Sequence, residues 1–395
     1  MSRKDWALLA GSVFLGLLLV EVMLRLLNWS FPIFMRPDAE LGWSFRPGTS
    51  GWSIHETAAQ VRINRFGFRG RDWPDVAPPD AYRVAVIGDS FVDSSNLPEN
   101  EAITSQIEKN LEACPALANR RPEVLNFGVS GYSTAQQYLL LQRRVEPLHP
   151  NLVLLALYLG NDVAENSPVL SLEGRRTKPY FVELPSGELR LDAGFRDSES
   201  FRQALARDWL KRLINASFVL QLLKQFEQDV ERKITSAPTP YAHGGGADKI
   251  ALYWPEHPGL FVLPASEEWR KAWSVTEKLI LAMSDRAHES KSDFGLVVIP
   301  EPTQALPGED ARQAAVRTFG LTDLDSPMKR LADFAERSGI AYFSLLETLR
   351  AHGDGGHVFL YGFPPYLGSG HLNSAGVRIA SQSIADWLCR RFQPS

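Results

Sequence analysis

Three short stretches place chemically able residues directly behind apolar runs. "AVIGDS" ends in Gly88-Asp89-Ser90, "VLNFGVSG" runs through Gly128 to Gly131, and "LYLGND" ends in Gly160-Asn161-Asp162. A serine that follows a strand and opens a helix presents its hydroxyl where backbone N–H groups and the positive end of the helix dipole favour developing negative charge. That setting suits a nucleophilic hydroxyl. It suits a plain helix cap equally well, with Asp89 or Ser90 accepting from first-turn amides. The stretch alone does not separate the two.

The elements around these stretches decide whether they meet. "YRVAVIG" (82–88), "EVLNFGVSG" (123–131), "NLVLLALYLGND" (151–162), "DFGLVVIPEP" (293–302) and "IAYFSL" (340–345) are short runs, apolar on both faces. Helical spacing of apolar residues occupies 101–113, 133–148, 267–289, 326–338 and about 373–392. Strands buried on both faces and alternating with helices predict a mostly parallel sheet covered on both sides. In such sheets ligands bind beyond the carboxyl ends of the strands. Ser90, Gly131 and Asn161 all sit at those ends.

This constellation resembles the SGNH (GDSL-type) hydrolase family. The first block matches as Gly88-Asp89-Ser90-Phe91, the second as "NFGVSGYS" (126–133), the third as "GND" (160–162), and the last, in part, as "GHLNSAG" (370–376). The likeness covers 82–163 and 293–392. It implies a flavodoxin-like three-layer α/β/α sandwich with a five-stranded parallel sheet. It also implies an acyl-serine mechanism without metal or cofactor. Ser90 would attack an ester carbonyl, with His371 as its base. The backbone N–H of Ser90, the N–H of Gly131 and the Asn161 side-chain amide would form the oxyanion hole.

One departure stands out. The family places an aspartate three residues before the histidine, to orient the ring and stabilise its cation. Here that residue is Gly368, and Ser369 carries no charge. Three accounts stay open: a Ser90–His371 dyad, an acid from elsewhere such as Asp354, or a weakened site that only binds. Other motifs read as structure. Ser130 in "GVSGY" lacks the second glycine of a nucleophile elbow, and "HGGG" (243–246) follows no strand. Asp162 reads as a hydrogen-bonding residue. His352 and His357 around Asp354 are a weak metal signal. Trp43, Trp52 and Trp73 read as gap fillers, and the 199–233 helical stretch as packed on the core.

Residues 6–27 are apolar apart from Glu21 and Arg25 and as a helix would span about 33 Å, enough for a bilayer core. Arg3 and Lys4 precede the run, so an uncleaved anchor with a cytoplasmic N-terminus is expected, ahead of a cleaved signal or a buried helix. The chain divides into an anchor (1–30), an extension and linker (31–80) and a catalytic-type domain (81–395) with an insertion at about 165–265. The domain is expected on the periplasmic or extracellular side of the cytoplasmic membrane. A formal net charge of −4 over 395 residues gives no argument for nucleic acid. Cys114 and Cys389 read as thiols, with pairing left open. The reading is an esterase acting on acyl, chiefly acetyl, esters of a small molecule or an envelope glycan. The alternatives are an O-acyltransferase, working with polysaccharide-modification partners, and a non-catalytic glycan-binding module.

Overall fold

A computed structural model of the chain describes residues 2–171, 177–235, 241–243 and 250–392. Its centre is a five-stranded parallel sheet built from β5 (Ala81–Gly88), β6 (Arg121–Gly128), β7 (Leu152–Tyr158), β12 (Asp293–Ile299) and β13 (Ala341–Ser344). The spatial order is β13-β12-β7-β5-β6. Counted within the sheet this is 2-1-3-4-5, the flavodoxin-like order, and its switch point falls between β5 and β7. The expected fold is the one observed. β5 and β7 are buried along their whole length, which is why they read as continuous apolar runs.

The sheet is covered on both faces. One face carries α3 (Ile103–Leu111), α11 (Leu346–Gly356) and α12 (Ser374–Phe392), packed on Val84, Val86, Leu154 and Val297. The other carries α4 (Thr134–Leu140), α8 (Glu267–Glu289), α9 (Glu309–Phe319) and α10 (Ser326–Arg337), around Ile87, Leu125, Leu155 and Leu296. A one-turn helix, α2 (Ser90–Asp93), leaves the end of β5. Cys114 and Cys389 form a disulfide, Cα atoms 5.7 Å apart, rather than the two thiols expected. Packing of α12 beside the turn that follows α3 brings together cysteines 275 residues apart.

Residues 35–62 form two antiparallel hairpins, and the chain then runs by way of Trp73 and Pro74 to the start of β5. The first hairpin is β1 (Met35–Asp38) with β2 (Gly42–Phe45), the second β3 (Ser50–Ile54) with β4 (Ala58–Arg62). Leu41, Phe45, Val61, Ile63, Phe68 and Trp73 join the main core. "INRFGFRG" (63–70) carries Arg69, whose buried guanidinium donates to the carbonyls of Asp93, Ser94 and Leu97. That clamp fixes the chain where it leaves α2.

The insertion carries the hairpin of β8 (Tyr180–Glu183) and β9 (Leu189–Asp192) and then α5 (Glu199–Ala206), α6 (Asp208–Ala216) and α7 (Phe218–Thr235). A short pair, β10 (Tyr241–His243) and β11 (Ile250–Leu252), follows. The 199–233 stretch is therefore three helices. Their apolar stripe is exposed instead of packed on the core, because the opposite flank, through Phe201, Asp208 and Gln221, is the one buried. The "HGGG" stretch beyond His243 lies outside the described residues. At the N-terminus, α1 (Arg3–Leu26) has mean hydropathy 2.4 over its most apolar window and is almost wholly exposed, so it is long and apolar enough to cross a membrane.

Candidate active site

Ser90 is held by the strand-to-helix turn that raised the question. Asp89 caps α2, its Oδ1 accepting from the Phe91 amide at 2.9 Å. The cap is thus the aspartate, and the Ser90 hydroxyl is left to bond elsewhere. α2 ends after one turn at Ser94, which takes a left-handed conformation. With so short a helix the N–H of Ser90, not a long dipole, is the feature that matters electrostatically. The turn is tight because β6 passes close: a Cβ on Gly128 would stand 2.1 Å from the Asp93 amide nitrogen.

His371 Nε2 lies 2.8 Å from Ser90 Oγ. The ring's other nitrogen, Nδ1, lies 2.9 Å from Glu56 Oε2, and Glu56 Oε1 accepts from the His371 backbone N–H at 3.1 Å. Glu56 sits at the tip of the β3–β4 hairpin, between Ile54 and Ala58. An acid is therefore present at the histidine. It comes from elsewhere in the chain, as one of the three accounts had it, but it is not Asp354, which is engaged with Arg312 and the Gly308 amide. Gly368 has φ +88, and a Cβ there would stand 2.9 Å from the Phe359 ring, so an aspartate would not fit. Gly370, at φ +73, lets Glu56 approach; a Cβ at that position would overlap Glu56 Oε1 at 1.8 Å.

The electrostatics follow from this pairing. Burial works to lower the His371 imidazole, but the hydrogen bond and charge of Glu56, helped by Asp89, outweigh it and raise the ring above its ordinary value of 6.5. Burial works to raise the Glu56 carboxyl, yet the His371 contacts hold it below the ordinary 4.5. Burial pushes Asp89 and Asp93 up. Asp93 accepts from Ser130 and Ser95 Oγ, each at 2.6 Å, which ties the Ser130 hydroxyl to a structural role.

Asn161 Nδ2 donates to Asp89 Oδ2 at 3.3 Å, so the amide is oriented with its N–H₂ group toward the turn that carries Ser90. Asp162, one residue on, is buried and accepts from the Tyr158 amide at 2.8 Å and from Gln137 at 3.0 Å, as a structural residue would. Gly131 has φ +78; Trp43, which donates to the Ser130 carbonyl at 3.0 Å, packs against it. Among the described residues no group accepts from the Ser90 or Gly131 amide.

Ser90, Gly131, Asn161, His371 and Glu56 all line one cavity of about 380 Å³. It shares His55, Asp93, Ser95 and Ser130 with a larger groove of about 630 Å³, walled by Phe34, Phe45 and Trp52 on one side and Lys224, Gln225 and Gln228 of α7 on the other. Trp52 thus faces the groove, whereas Trp73 is buried against Phe127. His352 bonds the Thr348 carbonyl through Nδ1.

Glu56 was not read from the sequence. Alternation through 50–62 signals a hairpin, but nothing local marks its tip as the partner of a histidine 315 residues away.

Among solved structures, the chain resembles an acetyl xylan esterase at 12% identity and a TM-score of 0.38, over 78% of this chain and 98% of that one. It resembles a psychrotrophic esterase from Pseudoalteromonas sp. at 11% identity and 0.33, over 78% and 98%. A GDSL-like lipase from Bacteroides thetaiotaomicron aligns at 12% identity and 0.33, over 79% and 89%. No family model and no curated protein matches. Strand order and register, not these likenesses, define the fold.

Proposed function

We propose that the chain is a serine ester hydrolase of the SGNH type in which Glu56, His371 and Ser90 act as a catalytic triad. The observation that carries this reading is the continuous hydrogen-bonded line from Glu56 through His371 to Ser90, with steps of 2.9 and 2.8 Å. His371 Nε2 takes the hydroxyl proton as Ser90 Oγ bonds to the ester carbonyl carbon. Glu56 fixes the tautomer, with the Nδ1 proton toward the carboxylate, and stabilises the imidazolium that forms. The tetrahedral oxyanion is received by the N–H groups of Ser90 and Gly131 and by Asn161 Nδ2. The carbon–oxygen bond of the leaving alcohol breaks as His371 returns the proton to that oxygen. Water, deprotonated by His371, then releases the acid and frees Ser90. The reaction so written uses no cofactor or metal.

Transfer of the acyl group to a sugar or other alcohol would use the same acyl-serine. The groove joined to the cavity is the observation that favours it, since it offers room for an acceptor beside Ser90. An acetylated envelope glycan is the substrate class proposed. A purely binding role is disfavoured, because binding needs no proton relay. We place the enzyme on the outer side of the cytoplasmic membrane, anchored by α1. The Cys114–Cys389 disulfide supports this, as such bonds persist in oxidising compartments.

The test uses the full chain in detergent, wild type and Ser90→Ala, with an activated short-chain acyl ester. The expected result is Ser90-dependent release, with an acyl adduct on Ser90 by mass spectrometry. Equal release by both proteins would overturn the assignment. Adding free glycan acceptor separates transfer from hydrolysis by its product.

A further inference from the structure

The insertion helices present an apolar face that the catalytic reading does not use. Trp209 and Leu213 of α6 and Leu220, Leu223, Phe226 and Val230 of α7 are all exposed, Trp209 by 65% and Phe226 by 68%. Within each helix their spacing of three or four residues draws them to one face, so each helix carries an apolar stripe. The other flank is strapped to the body of the protein. Asp208 pairs with Arg46, Asn215 bonds the backbone N–H and carbonyl of Ile33 at 2.8 and 3.0 Å, and Gln221 accepts from the Phe31 amide at 2.8 Å. The stripes therefore face away from the catalytic body.

What it faces follows from where α6 meets α7. Glu21, in the last turns of α1, accepts from Ser217 Oγ at 2.9 Å and from the amides of Phe218 and Val219 at 3.1 and 2.9 Å. Arg25 donates to the Ala216 carbonyl at 2.7 Å. The α6–α7 junction is thus fixed to the end of the one helix, among the described residues, long and apolar enough to span a bilayer. That end lies at the membrane–water boundary when α1 spans. Trp29, about half exposed just beyond α1, and Trp209 are residues that settle at that depth. Arg212, three residues on from Trp209, borders the α6 stripe with its guanidinium largely exposed while bonding Asp208 at 3.1 Å, and suits anionic headgroups; Glu227, which falls within the stripe on α7, is paired with Lys224 at 3.0 Å.

We propose that α6 and α7 are an interfacial membrane-binding element that sinks both stripes, Trp209–Leu213 and Leu220–Val230, into the outer leaflet and so holds the catalytic cavity and its groove at a fixed attitude to the lipid surface. The proposal rests on the membrane anchoring by α1 proposed above, and is independent of the ester chemistry.

Depth measurement in reconstituted membranes tests it. Full-length protein carrying single cysteines at Leu213→Cys, Leu223→Cys, Gln228→Cys or Leu17→Cys is labelled with a nitroxide without reductant, because the native cysteines are paired. Each is placed in vesicles of phosphatidylcholine and phosphatidylglycerol. The expected result is that labels at 213 and 223 collide with oxygen in preference to a water-soluble nickel chelate, severalfold more than the label at 228, which lies on the flank facing the groove. The label at 17 reports whether α1 spans. Labels at 213 and 223 as open to the chelate as 228, with 17 in lipid, would overturn the proposal while leaving the anchor intact. Water exposure at 17 would overturn both. Spin–spin broadening at 213 or 223 would also overturn it, by showing that a second copy covers that stripe. Ser90-dependent ester release is measured on the same vesicles, so loss of activity is not mistaken for loss of membrane contact.

Discussion

At the scale of single residues, the site rests on three hydrogen bonds and one carboxylate that takes the place of a missing one. Ser90, Gly131, Asn161 and His371 were legible because each follows a strand or matches a short block. Glu56 was not, since a lone Glu in "SIHET" has no local feature that separates it from a solvated turn residue. Ser90→Ala and His371→Ala are expected to abolish turnover to similar extents, because the two act as a unit; steady-state rates on an activated ester check this. Asn161→Ala removes one of the proposed oxyanion donors, and kcat is expected to fall by about 10²–10³-fold, roughly 2.7–4 kcal/mol of transition-state stabilisation. A fall confined to KM would show that the amide only binds substrate.

At the scale of elements, positive-φ glycines and a hairpin tip bring distant strands into register with the chemistry. The five sheet strands were readable from their unbroken apolar character, and α8, α10 and α12 from their spacing. Helices α9 and α11 escaped. Their alanine- and glycine-rich sequences, "DARQAAVRTF" and "LRAHGDGG", give a weak apolar rhythm. The exposed stripe of α6 and α7 was legible as amphipathic but not as outward-facing, because amphipathicity does not say what lies on the apolar side. Gly370→Ala is expected to push Glu56 off His371, since the added Cβ occupies the position of Glu56 Oε1. Activity should drop as in a Glu56 variant, with a stability cost of only about 1–2 kcal/mol for the left-handed backbone. Parallel thermal melts and rate measurements separate the two effects. An unchanged rate would mean that Glu56 relaxes without consequence.

At the scale of the whole molecule, the candidate site joins distant parts of the chain, Glu56 and Ser90 with His371. In the proposed mechanism the sheet domain supplies the nucleophile, base and oxyanion donors and the segment ahead of it the acid; that segment also contributes part of the core. The Cys114–Cys389 bond closes the domain over 275 residues, and Cys114→Ser with Cys389→Ser is expected to cost about 2–4 kcal/mol, read as a lowered Tm without loss of ester turnover at low temperature. The pairing could not be read from sequence because spacing says nothing of the Cα separation. The central claim, that Glu56 acts on Ser90 through His371, is tested most directly by the pH dependence of kcat/KM for wild type and Glu56→Gln on an activated short-chain ester. His371 must be neutral to accept the proton, and its raised pKa places the wild-type acid limb above pH 6.5. Without the Glu56 charge the cation loses its stabilisation. The account therefore predicts that the limb moves to lower pH and the plateau falls by about 10²–10⁴-fold. A variant with the wild-type plateau and an unmoved limb would contradict it.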